Sequence, residues 1–303
     1  SFNKKETNTE PLPKEAYGSP AFFKNPVDGL IVLGDRYELV PICSAALVMN
    51  IPIAHISGGD VTEGAIDNEV RNMVTMISTL HFPGVRTSAD NIIRMRGSDK
   101  NVFAVGEPGL DNFRKFHLMD RRELSDNIGL PFNNKWVLIT LHAETQSSLE
   151  YNLRMASNLI ESLLPLEDVS IVITKSNADF GGVQINEYFQ NVADRYSDKV
   201  KLFASLGQLR YLSFMKECYA VIGNSSSGIV EAPCLGKPVI NIGHRQEGRH
   251  LCPNVIQVEN DATQIENAIN SLKERDTFEP DFYYGDGATS VKIVSRIKNY
   301  LNV

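Results

Sequence analysis

Cysteine is scarce in this chain. Four occur in 303 residues, Cys43, Cys218, Cys234 and Cys252. None is paired at a C-x-x-C spacing and each lies in or near an apolar stretch, which argues against a disulfide framework and reads as buried free thiols in a reducing compartment. Long hydrophobic runs are missing too. The longest apolar region, CSAALVMNIPIAHI (43–56), is broken by Asn50 and Pro52 and is too short to span a membrane. The opening residues, SFNKKETNTEPLPKEAYGSP, lack the apolar core of a signal peptide. There is no basic excess: the formal charge is −7, which argues against a general nucleic-acid binder but not against a nucleotide ligand. No G-x-G-x-x-G dinucleotide fingerprint is present. His55, His81, His117 and His250 show no metal-ligand spacing. These absences leave a cytoplasmic enzyme or binding protein with no implied cofactor or metal and no nucleic-acid or membrane partner.

What is present is an ordinary globular composition, 42% hydrophobic and 22% charged, long enough for one large or two ordinary domains. Residues 1–26 are polar, carry Pro11, Pro13, Pro20 and Pro26, and read as an irregular lead-in. After them, short apolar runs alternate with helical patterns. GLIVLGD, IPIAHI, NVFAVG, KWVLITLH, VSIVITK, VKLFASL, YAVIG and PVINIG read as strands. Helical character is expected over 37–49, 147–164, 183–195, 207–217, 227–235, 262–274 and 289–302. AIDNEVRNMVTMISTL sets Ile66, Val70, Met73, Val74 and Ile77 on one helical face. The alternation predicts an α/β fold with parallel sheets covered on both faces. The polar stretch 117–135 divides it into domains of 1–118 and 119–288.

Polar groups recur where these strands end. Asp35 and Arg36 follow the first strand, and Ser57-Gly58-Gly59-Asp60 the second. His142, Lys175-Ser176-Asn177, Gly223-Asn224-Ser225-Ser226 and Gly243-His244-Arg245 follow later ones. Open parallel sheets bind ligands outside the carboxyl ends of their strands. Each group also has a plainer reading: Asp35 as a helix N-cap, His142 as a core histidine, Glu231 as a solvated helix acid, Arg245 as a surface cation, Asp67 and Arg71 as a surface i,i+4 pair. The stretch GNSSSGIVEAPCLGKPVINIG (223–243) stacks hydroxyls at a strand-to-helix turn, which suits either an N-cap or a phosphate. The gathering of polar strand ends favours the phosphate.

The blocks VLGDRYE, IPIAHISGGDVTEGAIDNEVRNMVTMISTLHF, VGEPGLDN, GNSSSGIVEAPCLGKPVINIGHRQEGR and YGDG resemble the hydrolysing UDP-N-acetylglucosamine 2-epimerases, in order, over about residues 27–300. That group supplies N-acetylmannosamine for sialic acid, and a close branch acts on a bacillosamine-type UDP sugar on the way to legionaminic acid. The resemblance implies a GT-B architecture of two Rossmann-like domains with the active site between them. It also implies a last helix (289–303) that crosses back to the first domain, and a homo-oligomer, dimer or tetramer. It implies loss of a C2 proton and of UDP to give a glycal, then addition of water, with no cofactor. It assigns a UDP pocket to Arg36, His142, Asn177, Ser225, Ser226, Ser227, Gly228, Glu231 and Arg245. Asp35 and Asp67 become the acid–base groups, Arg71 their partner, and His142 an aid to the leaving diphosphate. Two departures stand out. Where relatives often carry an acid in the 57–63 loop, this chain offers Ser57, Asp60 and Glu63. And a first strand–helix segment of some 70–80 residues in the family has no counterpart in 1–26, which implies a fragment, a first domain naturally reduced at its N-terminus, or a part of the chain that was not recorded. A UDP-binding protein without turnover stays open beside the two enzyme readings.

Overall fold

The structure, a computed structural model, describes residues 27–60, 66–177, 181–275 and 277–303. The expected lead-in 1–26 and Glu63 lie outside the described residues. The chain folds as two compact units, one running to Pro108 and including Ala288–Val303, the other Gly109–Gly287.

In the first unit, β1 (Leu30–Leu33), α1 (Leu39–Val48), β2 (Ile53–Ile56), α2 (Ile66–Ile77), β3 (Leu80–Phe82) and α3 (Arg86–Arg96) follow in order. The strands form a parallel sheet, β1-β2-β3. One face buries Val32 and Ile53 against Cys43 and Ala46 of α1 and Val70 and Val74 of α2. Strands alternate their side chains, so Ile31 and Leu33 point the other way, and they are 59% and 60% exposed. The fully apolar run of β1, expected to be covered on both faces, is therefore an edge strand with one open face among the described residues. In α2, Val70 and Val74 face the core as expected, but Met73 is exposed.

The expected strand NVFAVG is reduced to a single bridge, His81 to Val102. It does run alongside β3: Phe103 N donates to His81 O and Val105 N to Pro83 O. A parallel ladder would next need a donor at position 83, and proline has none. β3 and α3 were not expected from the sequence. Leu80, His81 and Phe82 are too few to register as an apolar run. α3 turns only Ser88, Ala89 and Ile92 inward, too small a stripe to register as a helical face.

The second unit opens with α4 (Asn112–Lys115) and α5 (Arg121–Ile128), then β4 (Lys135–Thr140), α6 (Leu149–Leu163), β5 (Val169–Thr174), α7 (Gly182–Arg195) and β6 (Val200–Phe203). It continues with α8 (Gly207–Glu217), β7 (Ala220–Gly223), α9 (Ser226–Val230), β8 (Val239–Ile242), β9 (Val255–Val258) and α10 (Ala262–Ser271). The final helix, α11 (Thr289–Leu301), belongs to the first unit, where Ile293 packs with Ala54, Leu80, Phe82 and Val105. Within the polar stretch 117–135, α5 has a full capping box at Asp120 and Glu123 and buries Leu124 and Ile128.

The second sheet is parallel, six-stranded, and ordered β6-β5-β4-β7-β8-β9. Counted within this unit the order is 3-2-1-4-5-6, the doubly wound arrangement. β4 explains its own apolar run: Val137 and Ile139 enter one core and Trp136 and Leu138 the other, so every one of these positions is buried. The expected helix 227–235 is broken into α9 and a 3-10 turn, Ala232–Leu235, with Pro233 in its first positions. Proline lacks the N–H that a continuing α-helix needs. The four cysteines are free thiols; Cys43, Cys218 and Cys252 are buried and Cys234 half-buried.

Candidate functional site

In a doubly wound sheet the chain leaves β4 in one direction and β7 in the other, and a crevice opens between their carboxyl ends. Here β4 and β7 are hydrogen-bonded neighbours, Thr140 against Gly223. Gly223 has φ of +142°, and a Cβ there would stand 2.2 Å from Thr140 O. Only glycine lets the two strand ends come this close.

Asn224 follows, fully buried. Its Oδ1 accepts from His142 N at 2.7 Å and its Nδ2 donates to His142 O at 2.8 Å. The side chain thus acts as a piece of β-ladder and fixes His142 across the crevice. His142 Nδ1 accepts from Asn177 N at 3.3 Å, with Ser176 Oγ 3.4 Å away. In the neutral ring this leaves the proton on Nε2.

Ser225 is the N-cap of α9 and accepts from Ser227 N and from Ser227 Oγ at 3.1 Å. Ser227 is anchored below by Tyr211 OH at 2.5 Å, and Tyr211 reaches Thr140 Oγ1 at 3.2 Å. Ser226 is exposed and Gly228 is packed on Val239. Arg245 Nη1 and Gln246 Nε2 both donate to Asn224 O, at 3.2 and 2.9 Å. His142, Asn177, Ser225, Ser227 and Arg245 therefore join one hydrogen-bonded layer at the switch point.

Glu231 ends α9, half-buried, with its Oε1 3.6 Å from where a Cβ on Gly109 would lie. Burial pushes its carboxyl up to about 7 against the pull of Arg249. It is not the solvated helix acid of the plainer reading.

The first unit gathers a different set. Arg71 is 7% exposed. Its Nη2 pairs with Asp35 Oδ2 and its Nη1 donates to Asp60 O at 2.8 Å. Arg71 thus ties the ends of β1 and β2 together, rather than serving as a surface cation. Asp60 Oδ1 accepts from Ser88 Oγ, and Gly59 O accepts from Asn91 Nδ2 at 2.9 Å. The loop after β2 is therefore held by α3, with Ser57 at a left-handed φ of 59°. His55 is fully buried. Its Nε2 contacts Gly34 O at 2.8 Å and its Nδ1 faces Thr75 Oγ1 at 3.1 Å, and burial lowers its pKa. A neutral His55 donating to Gly34 O braces the turn that carries Asp35. Asp67 is exposed in the first turn of α2. Arg36 is exposed and pairs with Glu38 at 2.7 Å.

Sequence reasoning did not assign Asn224, Tyr211, Gln246 or His55 a part in these layers. Asn224 stands inside the GNSSSG stretch and Gln246 inside GHRQEGR; Tyr211 and His55 gave no signal beyond a polar residue among apolar neighbours. Among the described residues no group of three or more His, Cys, Asp and Glu side chains is arranged to hold a metal. Nor, among them, is any helix long and apolar enough to cross a membrane.

A family model described as UDP-N-acetylglucosamine 2-epimerase matches residues 19–298. The chain is 35% identical over 258 residues to the GDP/UDP-N,N'-diacetylbacillosamine 2-epimerase (hydrolyzing) of Campylobacter jejuni, covering 85% of this chain and 66% of that protein. It is 29% identical over 271 residues to the UDP-N,N'-diacetylbacillosamine 2-epimerase (hydrolyzing) of Legionella pneumophila, covering 89% and 71%. The chain thus spans about two thirds of the length of these relatives. Among solved structures it is similar to the UDP-GlcNAc 2-epimerase from Neisseria meningitidis bound to UDP-GlcNAc. The TM-score is 0.75 at 20% identity, over 92% of this chain and 78% of that one. That likeness establishes the GT-B-like α/β fold. With its match running from residue 19 to residue 298, this chain belongs to the UDP-N-acetylglucosamine 2-epimerase family.

Proposed function

We propose that the chain acts as a hydrolysing UDP-sugar 2-epimerase, with UDP-N-acetylglucosamine as substrate. The observation that carries the reading is the layer of His142, Asn177, Ser225, Ser227 and Arg245 at the β4/β7 switch point. It combines hydroxyl and main-chain donors with a cation, the chemistry that stabilises charge growing on a leaving diphosphate. Ser226 and Gly228 complete the serine turn. Glu231 accepts from the ribose hydroxyls. Asp35 and Asp67 are the acid–base pair and Arg71 fixes Asp35; by resemblance alone, Asp60 and Glu63 are assigned to the same chemistry and Arg36 to the UDP pocket. A base takes the C2 proton as the C1–O bond to UDP breaks, giving a C1=C2 glycal. Water then returns a hydroxyl to C1 and a proton to C2, yielding N-acetylmannosamine and UDP.

A second reading uses the same steps on a 2,4-diacetamido UDP sugar. The Campylobacter and Legionella relatives, both named for diacetylbacillosamine, favour it.

One assay separates the readings. The chain is incubated with each UDP sugar, and free UDP and the free sugar are followed. UDP and N-acetylmannosamine from UDP-N-acetylglucosamine support the first reading, and turnover of the diacetamido sugar alone selects the second. Return of a UDP-linked epimer, or UDP binding without release, overturns both. Asp35→Asn is expected to slow turnover about 100-fold, the scale of a lost acid–base group, and to leave UDP affinity unchanged.

A further inference from the structure

We propose that Glu144 is a positioning residue that locks the Arg245 loop to the His142 loop and so sets where the Arg245 guanidinium meets the nucleotide. The inference rests on the nucleotide-binding reading of this sheet edge. Its starting point is the loop after β4, whose backbone is pinned at alternate residues by two asparagine side chains. Asn224 brackets His142, as described. Asn152 of α6 does the same for Glu144: its Oδ1 accepts from Glu144 N at 2.8 Å and its Nδ2 donates to Glu144 O at 3.1 Å. A backbone held this way fixes the point and direction from which the Glu144 side chain leaves the loop.

The carboxylate crosses to the loop after β8. Glu144 Oε1 accepts from His244 N at 2.7 Å and from Arg245 N at 3.2 Å. Gly243 makes room: its φ is +76°, and a Cβ there would lie 2.4 Å from that same oxygen. An ionised oxygen shared by two successive amides forms charge-assisted hydrogen bonds, the stronger kind. From Arg245 the hydrogen bonds return by way of the loop after β7, since Arg245 Nη1 and the buried Gln246 Nε2 both reach Asn224 O, and the Asn224 side chain brackets His142. A closed circuit results, from His142 through Asn224 to Arg245, along the backbone to the 244–245 amides, and through Glu144 back to His142. Cutting it at Glu144 frees two amides that water can satisfy at modest cost. The fold therefore survives, and the loss falls on the direction of Arg245.

The test is a double-mutant cycle between Glu144→Ala and Arg245→Ala, read by calorimetric titration with UDP and by thermal melts. Glu144→Ala should weaken UDP binding roughly 10-fold, the scale of one charge-assisted hydrogen bond. In the Arg245→Ala background the same change should cost less than about twofold. Glu144→Gln keeps one oxygen for both amides and should bind within about threefold of wild type. Should Glu144→Ala fail to fold, Glu144→Asp takes its place in the cycle, its carboxylate one methylene too short to reach the amides. Equal losses in both backgrounds overturn the role of Glu144 and leave nucleotide binding standing. Failure of the wild-type chain to bind UDP overturns the nucleotide reading and this role with it.

Discussion

Glu231 carries its own pH signature. Its carboxyl, half-buried at the end of α9, is raised to about 7 by desolvation. Ribose hydroxyls donating to it would favour the ionised form and lower that value on binding. Below about 7 the free protein must then shed a proton to bind, and above it none. UDP affinity should rise with pH up to about 7 and level off beyond. Glu231→Gln should flatten the profile and shrink the preference for UDP over 2′-deoxy-UDP. Titration calorimetry in buffers of different ionisation heat reads the proton directly. A flat wild-type profile, or an unchanged ribose preference in Glu231→Gln, would show that the carboxyl does not meet the ribose.

At the scale of the element, the turn from β7 into α9 depends on two separate demands at Gly223. Its φ lies outside the reach of ordinary side chains, and its missing Cβ lets Thr140 O approach. Gly207 isolates the first demand, because its φ of +65° is left-handed and nothing lies within 4 Å of its absent Cβ. Gly207→Ala should cost about 1 kcal/mol. Gly223→Ala should cost about 3 kcal/mol or more, since backbone must move away from backbone. Denaturant unfolding gives both values, and equal losses would mean that the strands relax freely.

Legibility followed burial in the same elements. β4, β5, β7 and β8 lie inside a sheet packed on both faces, so their sequences are mostly apolar runs that announce themselves, with Ser170 and Asn241 as buried polar interruptions. β9 has only Val258 fully buried and gave no such run. NVFAVG looked like a strand because its side chains are right for one, and the obstacle is a proline in its neighbour. The polar ends of the strands were legible as a set, because each sits next to a readable strand. Which of them would touch was not. Arg71 belongs by spacing to Asp67, and its pairing with Asp35 is a product of α2 packing on the face that carries Val32 of β1. The asparagine brackets at 142 and 144 depend on helix and strand placement that no local pattern encodes.

Across the whole molecule, acid acts on the two units in opposite senses. In the first unit, His81 is fully buried, and burial lowers its pKa to about 3. Arg96 of α3 and the neighbouring His55 of β2, itself lowered, add to that shift. A histidine neutral when folded and protonated when unfolded contributes fully above about 6.5 and loses that contribution as pH falls toward 3. For one such group the loss reaches about 2 kcal/mol by pH 5. In the second unit Glu231 runs the other way. Raised from 4.5 to about 7, its charged form is the costly one, so the cost present above 7 fades as pH falls toward 4.5. Calorimetric scans between about pH 7.5 and 5 should therefore move the melting of the first unit down by several degrees, and that of the second unit up by a few degrees. His81→Leu keeps an apolar side chain in the space and removes one titration, so it should clearly reduce the acid shift of the first unit. An acid shift shared equally by both transitions, or one untouched by His81→Leu, would assign the acid sensitivity to groups other than this buried pair.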